Sequence, residues 1–353
     1  MASTFLSVHL ADRPNPDIIP GKTFKIQTNP TPKASDLKEG QVIFKSLYLS
    51  LDPAMRGWLS SKFNVGSYVP PVKIGETMRG VCVGVIEASK SKSYPVGSYA
   101  NSMVGWTELA VVDEKHLEKI DLPKNARATD ALGVLGMTGL TAYFGMLDVG
   151  KVKAGDFVVV SGAAGATGSV AGQIAKLKGA KVLGIAGGQE KVRWLKEELG
   201  FDDALDYKDK DFAAKFRTAT KDLIDLFYDN VGGEVLNLAL SRAKPHARFV
   251  MCGGISQYNS AKPEGPSARL PIQDRPFEPM EGFIVFDYKS QYPAALTELA
   301  QWLVEGKIRR KDTIIKGGLK KAEYALVDLY KGVNTGKLLL EVSPEGGNTK
   351  AKL

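Results

Sequence analysis

The segment from residue 158 to residue 170 reads Val-Val-Val-Ser-Gly-Ala-Ala-Gly-Ala-Thr-Gly-Ser-Val, and it constrains the fold more than any other. A run of β-branched residues ends, a turn of tiny residues follows, and an amphipathic helix begins. A phosphate group needs close backbone approach and free N–H donors at a helix start, which only small side chains permit. A lone pair of glycines would say little. Here a strand precedes the turn and a helix follows it, the context that a dinucleotide cradle requires.

That unit does not stand alone. Thr129–Leu147 has helical apolar spacing, and strand and helix patterns then alternate. Strands are expected at Phe157–Ser161, Lys181–Ala186, Ala204–Tyr207, Leu223–Tyr228 and Arg248–Cys252. Helices are expected at Val170–Leu177, Lys191–Leu199, Phe212–Ala219, Val235–Ala243 and Tyr292–Glu305. Alternation with near-continuous apolar strands implies an α/β fold with a doubly wound parallel sheet, its ligands at the carboxyl ends of the strands. Residues 1–128 differ. Short β-branched and aromatic runs such as Gln41–Leu49 and Val81–Glu87 are broken by Gly, Pro and Asp turns, so this part reads as strand-rich. Ser256–Met280, with five prolines, reads as a long loop, and Lys337–Val342 as a strand that returns to the first domain.

Composition narrows the chemistry. At 353 residues two domains are the natural division. Two cysteines, Cys82 and Cys252, cannot build a disulfide framework or a four-cysteine zinc site. The three histidines, His9, His116 and His246, show no ligand spacing, so no metal is expected. A net charge of +8 is spread along the chain with Arg309-Arg310-Lys311 as its densest cluster, and no nucleic-acid module accompanies it. There is no apolar run of about 18 residues for a membrane span and no signal-peptide start.

The end of the second parallel strand distinguishes the two common dinucleotides. An enzyme using NAD usually places Asp or Glu there for the ribose 2′-hydroxyl. This chain has Ile185-Ala186-Gly187-Gly188-Gln189-Glu190-Lys191, with no acid at the strand end and with Lys191 and Arg193 just beyond. An open, basic pocket there suits a 2′-phosphate, which a carboxylate at the strand end would repel, so NADP(H) is the expected cofactor.

Several motifs in order resemble one family. They are Leu47-Tyr48-Leu49-Ser50-Leu51-Asp52-Pro53-Ala54-Met55-Arg56, Gly139-Leu140-Thr141-Ala142-Tyr143-Phe144-Gly145, the Ala163–Ser169 turn, Asp229-Asn230-Val231-Gly232-Gly233 and Cys252-Gly253-Gly254-Ile255-Ser256-Gln257-Tyr258-Asn259. Together they resemble the leukotriene B4 12-hydroxydehydrogenase/prostaglandin reductase family of zinc-independent medium-chain dehydrogenases/reductases, to which plant alkenal double-bond reductases and bacterial curcumin reductase are similar. The resemblance implies a GroES-like β-rich catalytic domain, residues 1–128 and 312–353, and a Rossmann NADP-binding domain, residues 129–311. Zinc-dependent relatives carry Gly-His-Glu where this chain has Gly75-Glu76-Thr77-Met78-Arg79-Gly80, and their cysteine-rich lobe is absent.

Carried over by position, the resemblance gives the pyrophosphate to Gly165, Ala166, Thr167, Gly168 and Ser169, and the 2′-phosphate to Lys191 and Tyr207. Asn230, Cys252, Gly253, Ile255, Ser256, Tyr258, Phe283, Ile284, Val285 and Asn334 would complete the cofactor cleft. Tyr48, Arg56 and Met137 are substrate-side candidates, although Tyr48 and Met137 suit ordinary core equally and Arg56 suits a salt bridge. No role is assigned to Asp287, and Cys252 reads as a small apolar residue touching the cofactor.

The implied reaction is NADPH-dependent reduction of the C=C bond of an α,β-unsaturated aldehyde or ketone. Hydride goes to the β-carbon, an enolate forms, and a proton reaches the α-carbon. Tyr258 is the first candidate for proton donor or enolate stabiliser; the ribose 2′-hydroxyl, a water, or a Tyr258 that merely packs are alternatives. A quinone reductase and a non-catalytic NADPH-binding protein are the competing functions. The family also implies a homodimer. The cytoplasm is the expected location, with the peroxisome as an alternative because Ala351-Lys352-Leu353 resembles a Ser-Lys-Leu address.

Overall fold

The computed structural model describes residues 3–60, 69–266 and 280–345. The chain forms two compact units, residues 1–132, 312–334 and 338–353, and residues 133–311 with 335–337. The C-terminal tripeptide, residues 61–68 and most of the expected proline-rich loop (267–279) lie outside the described residues.

In the first unit β1 (Thr4–Leu10) pairs antiparallel with β2 (Phe24–Pro30). A larger sheet is organised on β3 (Gln41–Ser50), which pairs antiparallel with β4 (Cys82–Ser89), β6 (Leu109–Asp113) and the C-terminal strand Lys337–Glu341. β5 (Tyr99–Ser102) and β7 (Leu117–Lys119) extend it beyond β4. Most of β3 is buried, its apolar runs Val42–Phe44 and Leu47–Leu49 separated by Lys45 and Ser46. The Phe44 ring crosses β4 at Gly84, where a Cβ would stand 2.5 Å from Phe44 Cζ and 2.2 Å from the Lys45 carbonyl. Trp106, Phe44, Leu49 and Met78 form the centre of this core, and Phe24 stacks on Trp106 at 5.0 Å. Each such side chain stabilises the fold by about 1.5–3 kcal/mol on burial. The short helix α1 (Met55–Trp58) follows β3.

The second unit is a six-stranded parallel sheet. Its strands are β8 (Phe157–Val160), β9 (Lys181–Ala186), β10 (Asp203–Asp206), β11 (Ile224–Asp229), β12 (Ala243–Met251) and β13 (Met280–Gly282), in the spatial order β10-β9-β8-β11-β12-β13. Connecting helices are α3 (Ala166–Leu177), α4 (Gln189–Arg193), α5 (Phe212–Ala219) and α6 (Gly233–Ser241). This is the doubly wound order, and the direction of winding reverses between β8 and β11. Ligands of such sheets bind in the crevice at that reversal.

Three expectations need correction. The single helix expected over Thr129–Leu147 is a 3₁₀ turn (Ala128–Leu132), helix α2 (Met137–Phe144) and a wider π turn (Gly145–Val149). Gly133 and Gly136 break it, and the Gly133 carbonyl accepts from Gly139 N and Thr138 Oγ1 rather than continuing a helix. Apolar period alone could not reveal that break. The helix expected at Val170 starts four residues earlier, at Ala166. Within the stretch read as loop, Met280 begins β13, which pairs with β12; three residues are too few to show an alternating pattern. Helix α7 (Tyr292–Val304) lies where expected, with a proline in its first turn, where the missing N–H costs nothing.

Candidate functional site

The turn after β8 is built for an anion. Gly162 takes a left-handed φ of +58°, and Gly165 caps α3 with its backbone while no side chain caps the helix. The first turn of α3 contains no acid, and Ser169 is the first residue whose N–H returns to Gly165. A helix start leaves its leading N–H groups without intrahelical partners, here those facing outward from Ala166, Thr167 and Gly168. Gly168 packs so tightly that a Cβ would sit 2.4 Å from the Gly162 carbonyl oxygen. Ser169 is buried, its hydroxyl donating back to the Ala166 carbonyl at 3.2 Å. The chain segment 335–337 braces this turn, with Gly336 N donating to Ala164 O at 2.8 Å.

At the end of β9 the chain turns through Gly187 and Gly188 into α4. Lys191 is half-buried there, and its ammonium is held below the usual lysine range by burial first and then by repulsion from Lys208. A Cβ on Gly187 would meet the Tyr207 ring at 2.7 Å and Lys208 Cε at 3.1 Å, so glycine leaves room for both side chains. Lys191, Tyr207 and Lys208 therefore converge on one exposed corner. The sequence reading missed Lys208, whose only signal was its place directly after Tyr207. It also missed Asp206 at the end of β10. That carboxylate accepts from Gly188 N at 2.9 Å, Lys208 N at 3.0 Å and Gln189 Nε2 at 3.3 Å. Its oxygens thus shape the turn itself.

The third part lies at the reversal between β8 and β11. Ser161 follows β8, and its hydroxyl donates to Asp229 Oδ1 at 2.6 Å while accepting from Asn230 N at 2.8 Å. Asn230 Nδ2 donates to the Ser161 carbonyl at 2.7 Å, leaving its amide oxygen turned away from that bond. The Asp229 carbonyl accepts from Cys252 N and Gly253 N, tying the loop after β12 to the end of β11. Ser256 repeats the tie, its hydroxyl donating to Val231 O at 2.7 Å. Within that loop Tyr258 curls over the glycines, and its oxygen accepts from Gly254 N at 3.2 Å. Burial raises the phenol above its ordinary range, the Gly254 bond pulls it down, and the charges of Cys252 and Asp229 raise it further. The hydroxyl stays protonated at neutral pH, and its hydrogen is not used by that bond. Burial pushes the Cys252 thiol up to about 11, which makes it a poor nucleophile.

The remaining candidates are more scattered. Phe283, Ile284 and Val285 follow β13, the Phe283 ring standing edge-on to Tyr288 at 6.5 Å. Met137 opens α2, partly exposed, with its sulfur 3.7 Å from the Tyr292 hydroxyl. Asp287 is exposed, in the turn before α7. In the first unit Tyr48 lies on β3 against Val83, Leu132 and Leu339, its phenol raised by burial and then by Glu345 and Glu341. Arg56, in α1, donates to the Pro16 carbonyl at 2.6 Å. Asn334 is buried in the same unit. Thus the structure gathers Gly165–Ser169, Lys191, Tyr207, Asn230, Cys252, Gly253, Ile255, Ser256 and Tyr258 at the carboxyl ends of one parallel sheet. Among the described residues no three His, Cys, Asp or Glu side chains converge as a metal would require.

The chain is similar to known proteins over most of its length. Residues 7–120 match the family described as N-terminal domain of oxidoreductase, and residues 166–301 the family described as zinc-binding dehydrogenase. The chain is 40% identical over 347 residues to the putative NADP-dependent oxidoreductase YfmJ of Bacillus subtilis (strain 168), covering 97% of this chain and 99% of that protein. It is 41% identical over 324 residues to prostaglandin reductase 1 of Rattus norvegicus, covering 90% and 93%. The crystal structure of CurA from Vibrio vulnificus in complex with NADPH superposes with a TM-score of 0.85 at 37% identity, over 96% of this chain and 99% of that one. The chain belongs to the zinc-independent medium-chain dehydrogenase/reductase family that includes the prostaglandin and curcumin reductases.

Proposed function

We propose that this protein uses NADPH to reduce the C=C bond of α,β-unsaturated aldehydes and ketones. The observation that carries the reading is Tyr258, a phenol kept protonated over the Gly253–Gly254 loop beside the reversal of a nucleotide-binding sheet.

The residues present fit the cofactor. The uncapped start of α3 offers N–H donors to a pyrophosphate, and Gly168 allows the helix to approach its turn closely. Lys191, Tyr207 and Lys208 supply two cations and a phenol for a 2′-phosphate. Asn230 and the Cys252–Tyr258 loop form the floor on which a nicotinamide would lie. When bound, NADPH supplies a hydride to the substrate β-carbon, the π electrons moving to the carbonyl oxygen as an enolate. Tyr258 then does what a polarising acid must. It donates a hydrogen bond toward the developing oxyanion or a proton toward the α-carbon, and its raised phenol disfavours premature ionisation.

In this reading residues 129–311 are the NADP-binding domain, and residues 1–128 with 312–353 are the catalytic domain, to which Tyr48, Arg56 and Asn334 belong. The exposed edge strand β13, with Met280 and Phe286 exposed near it, supports a homodimer. No described helix is long and apolar enough to cross a membrane, and we place the protein in the cytoplasm.

Steady-state assays with an enal, an enone and a quinone, each with NADPH and NADH, test the proposal. Turnover of the enal or enone with NADPH is expected; turnover of the quinone alone would replace it. Tyr258→Phe is expected to lower kcat by about 10²-fold while leaving the NADPH Kd in place. Unchanged kcat would remove Tyr258 from the chemistry.

A further inference from the structure

The reduction scheme leaves one buried charge unused. Asp229, the last residue of β11, has 0% of its surface exposed. Its Oδ1 accepts from Ser161 Oγ at 2.6 Å, Val231 N at 2.9 Å and Gly232 N at 3.0 Å, and its Oδ2 lies 3.1 Å from Gly232 N. Both oxygens act as acceptors, sharing the Gly232 N–H, as a carboxylate's do; burial raises the group above the usual carboxylate range, and the bonds from Gly232, Ser161 and Val231 pull it back down. All these partners are neutral. A buried anion without a cation is costly to keep, and neutral hydrogen bonds offset that cost only in part.

Its position suggests what the charge serves. The Asp229 carbonyl anchors Cys252 and Gly253, and its negative charge raises both the Cys252 thiol and the Tyr258 phenol. The carboxylate also holds Gly232, which packs against the loop that carries Tyr258: a Cβ on Gly232 would stand 3.5 Å from Gly254 Cα. Reduced nicotinamide is neutral; after giving up a hydride, which carries both electrons of the broken C–H bond to the substrate carbon, the ring bears a positive charge.

We propose that Asp229 is an electrostatic positioning residue, whose buried carboxylate favours the oxidised, cationic nicotinamide over the reduced one and so assists hydride release. This rests on the reading of the Cys252–Tyr258 loop as the nicotinamide floor. Being buried, Asp229 touches neither cofactor nor substrate and acts through its field and through the backbone it holds.

The test is the ratio of two dissociation constants, for NADP⁺ and for NADPH, measured by titration on the full chain. Asp229→Asn and Asp229→Ser, neutral replacements of different size, are expected to weaken NADP⁺ about tenfold more than NADPH. Equal weakening of both forms would show a role in structure alone and overturn the proposal. Ser161→Ala removes one of the bonds that lower the buried carboxyl, so in this variant the ratio should move in favour of NADPH as pH falls and recover as pH rises. A ratio that moves in favour of NADP⁺ as pH falls would overturn the proposal even if neither neutral variant folds. If the wild-type protein binds neither nucleotide, the cofactor reading fails and takes this inference with it; binding with an unmoved ratio defeats this inference alone.

Discussion

Removing Lys191 tests the cofactor assignment at its most specific point. The ammonium is half-buried and shares its corner with Lys208 and Tyr207, where the 2′-phosphate is expected. At an effective permittivity of about 20, opposite unit charges about 4 Å apart attract by about 4 kcal/mol. Partial exposure and counterions reduce this to about 1–2 kcal/mol. Lys191→Ala should therefore weaken NADPH about five- to thirtyfold and leave NADH, which lacks the phosphate, within about twofold. Lys208 is exposed, so Lys208→Ala should cost about three- to fivefold. The sign of the pH dependence follows from the lowered Lys191 pKa. Its proton is lost at lower pH than that of an ordinary lysine, so NADPH affinity falls earlier as pH rises, and Lys208→Ala delays that fall by removing the repulsion. Fluorescence titrations with both nucleotides at two ionic strengths measure all of this. Equal losses for NADPH and NADH would refute a 2′-phosphate site at this corner.

Two further outcomes are expected. Cys252, partly exposed and with its thiol pushed up to about 11, should react slowly with iodoacetamide near neutral pH and faster only as pH climbs toward that value; rapid labelling at pH 7 would contradict the raised thiol. Gly336 has a φ of +70°, and a Cβ there would stand 1.8 Å from the Lys311 carbonyl oxygen. Gly336→Ala should destabilise the second unit by about 2–4 kcal/mol and weaken NADPH, because the braced glycine turn moves with it; an unchanged Tm would show the contact to be dispensable.

Much of the second unit was legible because buried parallel strands must be apolar runs and the phosphate turn must be made of tiny residues. Gly165–Ser169 stand out for those reasons, Lys191 because no acid ends the strand before it, and Asn230 only through the family resemblance. Lys208 and Asp206 do not, because they meet Gly187 and Gly188 only through the β9–β10 register, which sets Asp206 opposite Ala186. Asp229 was visible only as part of a motif; that its carboxylate points inward to Ser161 depends on the pairing of β11 with β8. The Thr129–Leu147 helix failed for the opposite reason, since an apolar period persisted through glycines that the backbone uses to turn. In the first unit the strands were readable as runs. Their partners were not, because β3 joins a strand almost 300 residues later, and neither sequence carries a mark of the other.

The central claim is carbon–carbon double-bond reduction by hydride from NADPH. Incubating the protein with NADPH deuterated at nicotinamide C4 and a simple enone, then locating the label in the product, tests it directly. The account predicts a saturated ketone with deuterium on the β-carbon and the carbonyl intact. An allylic alcohol with deuterium on the former carbonyl carbon would contradict it.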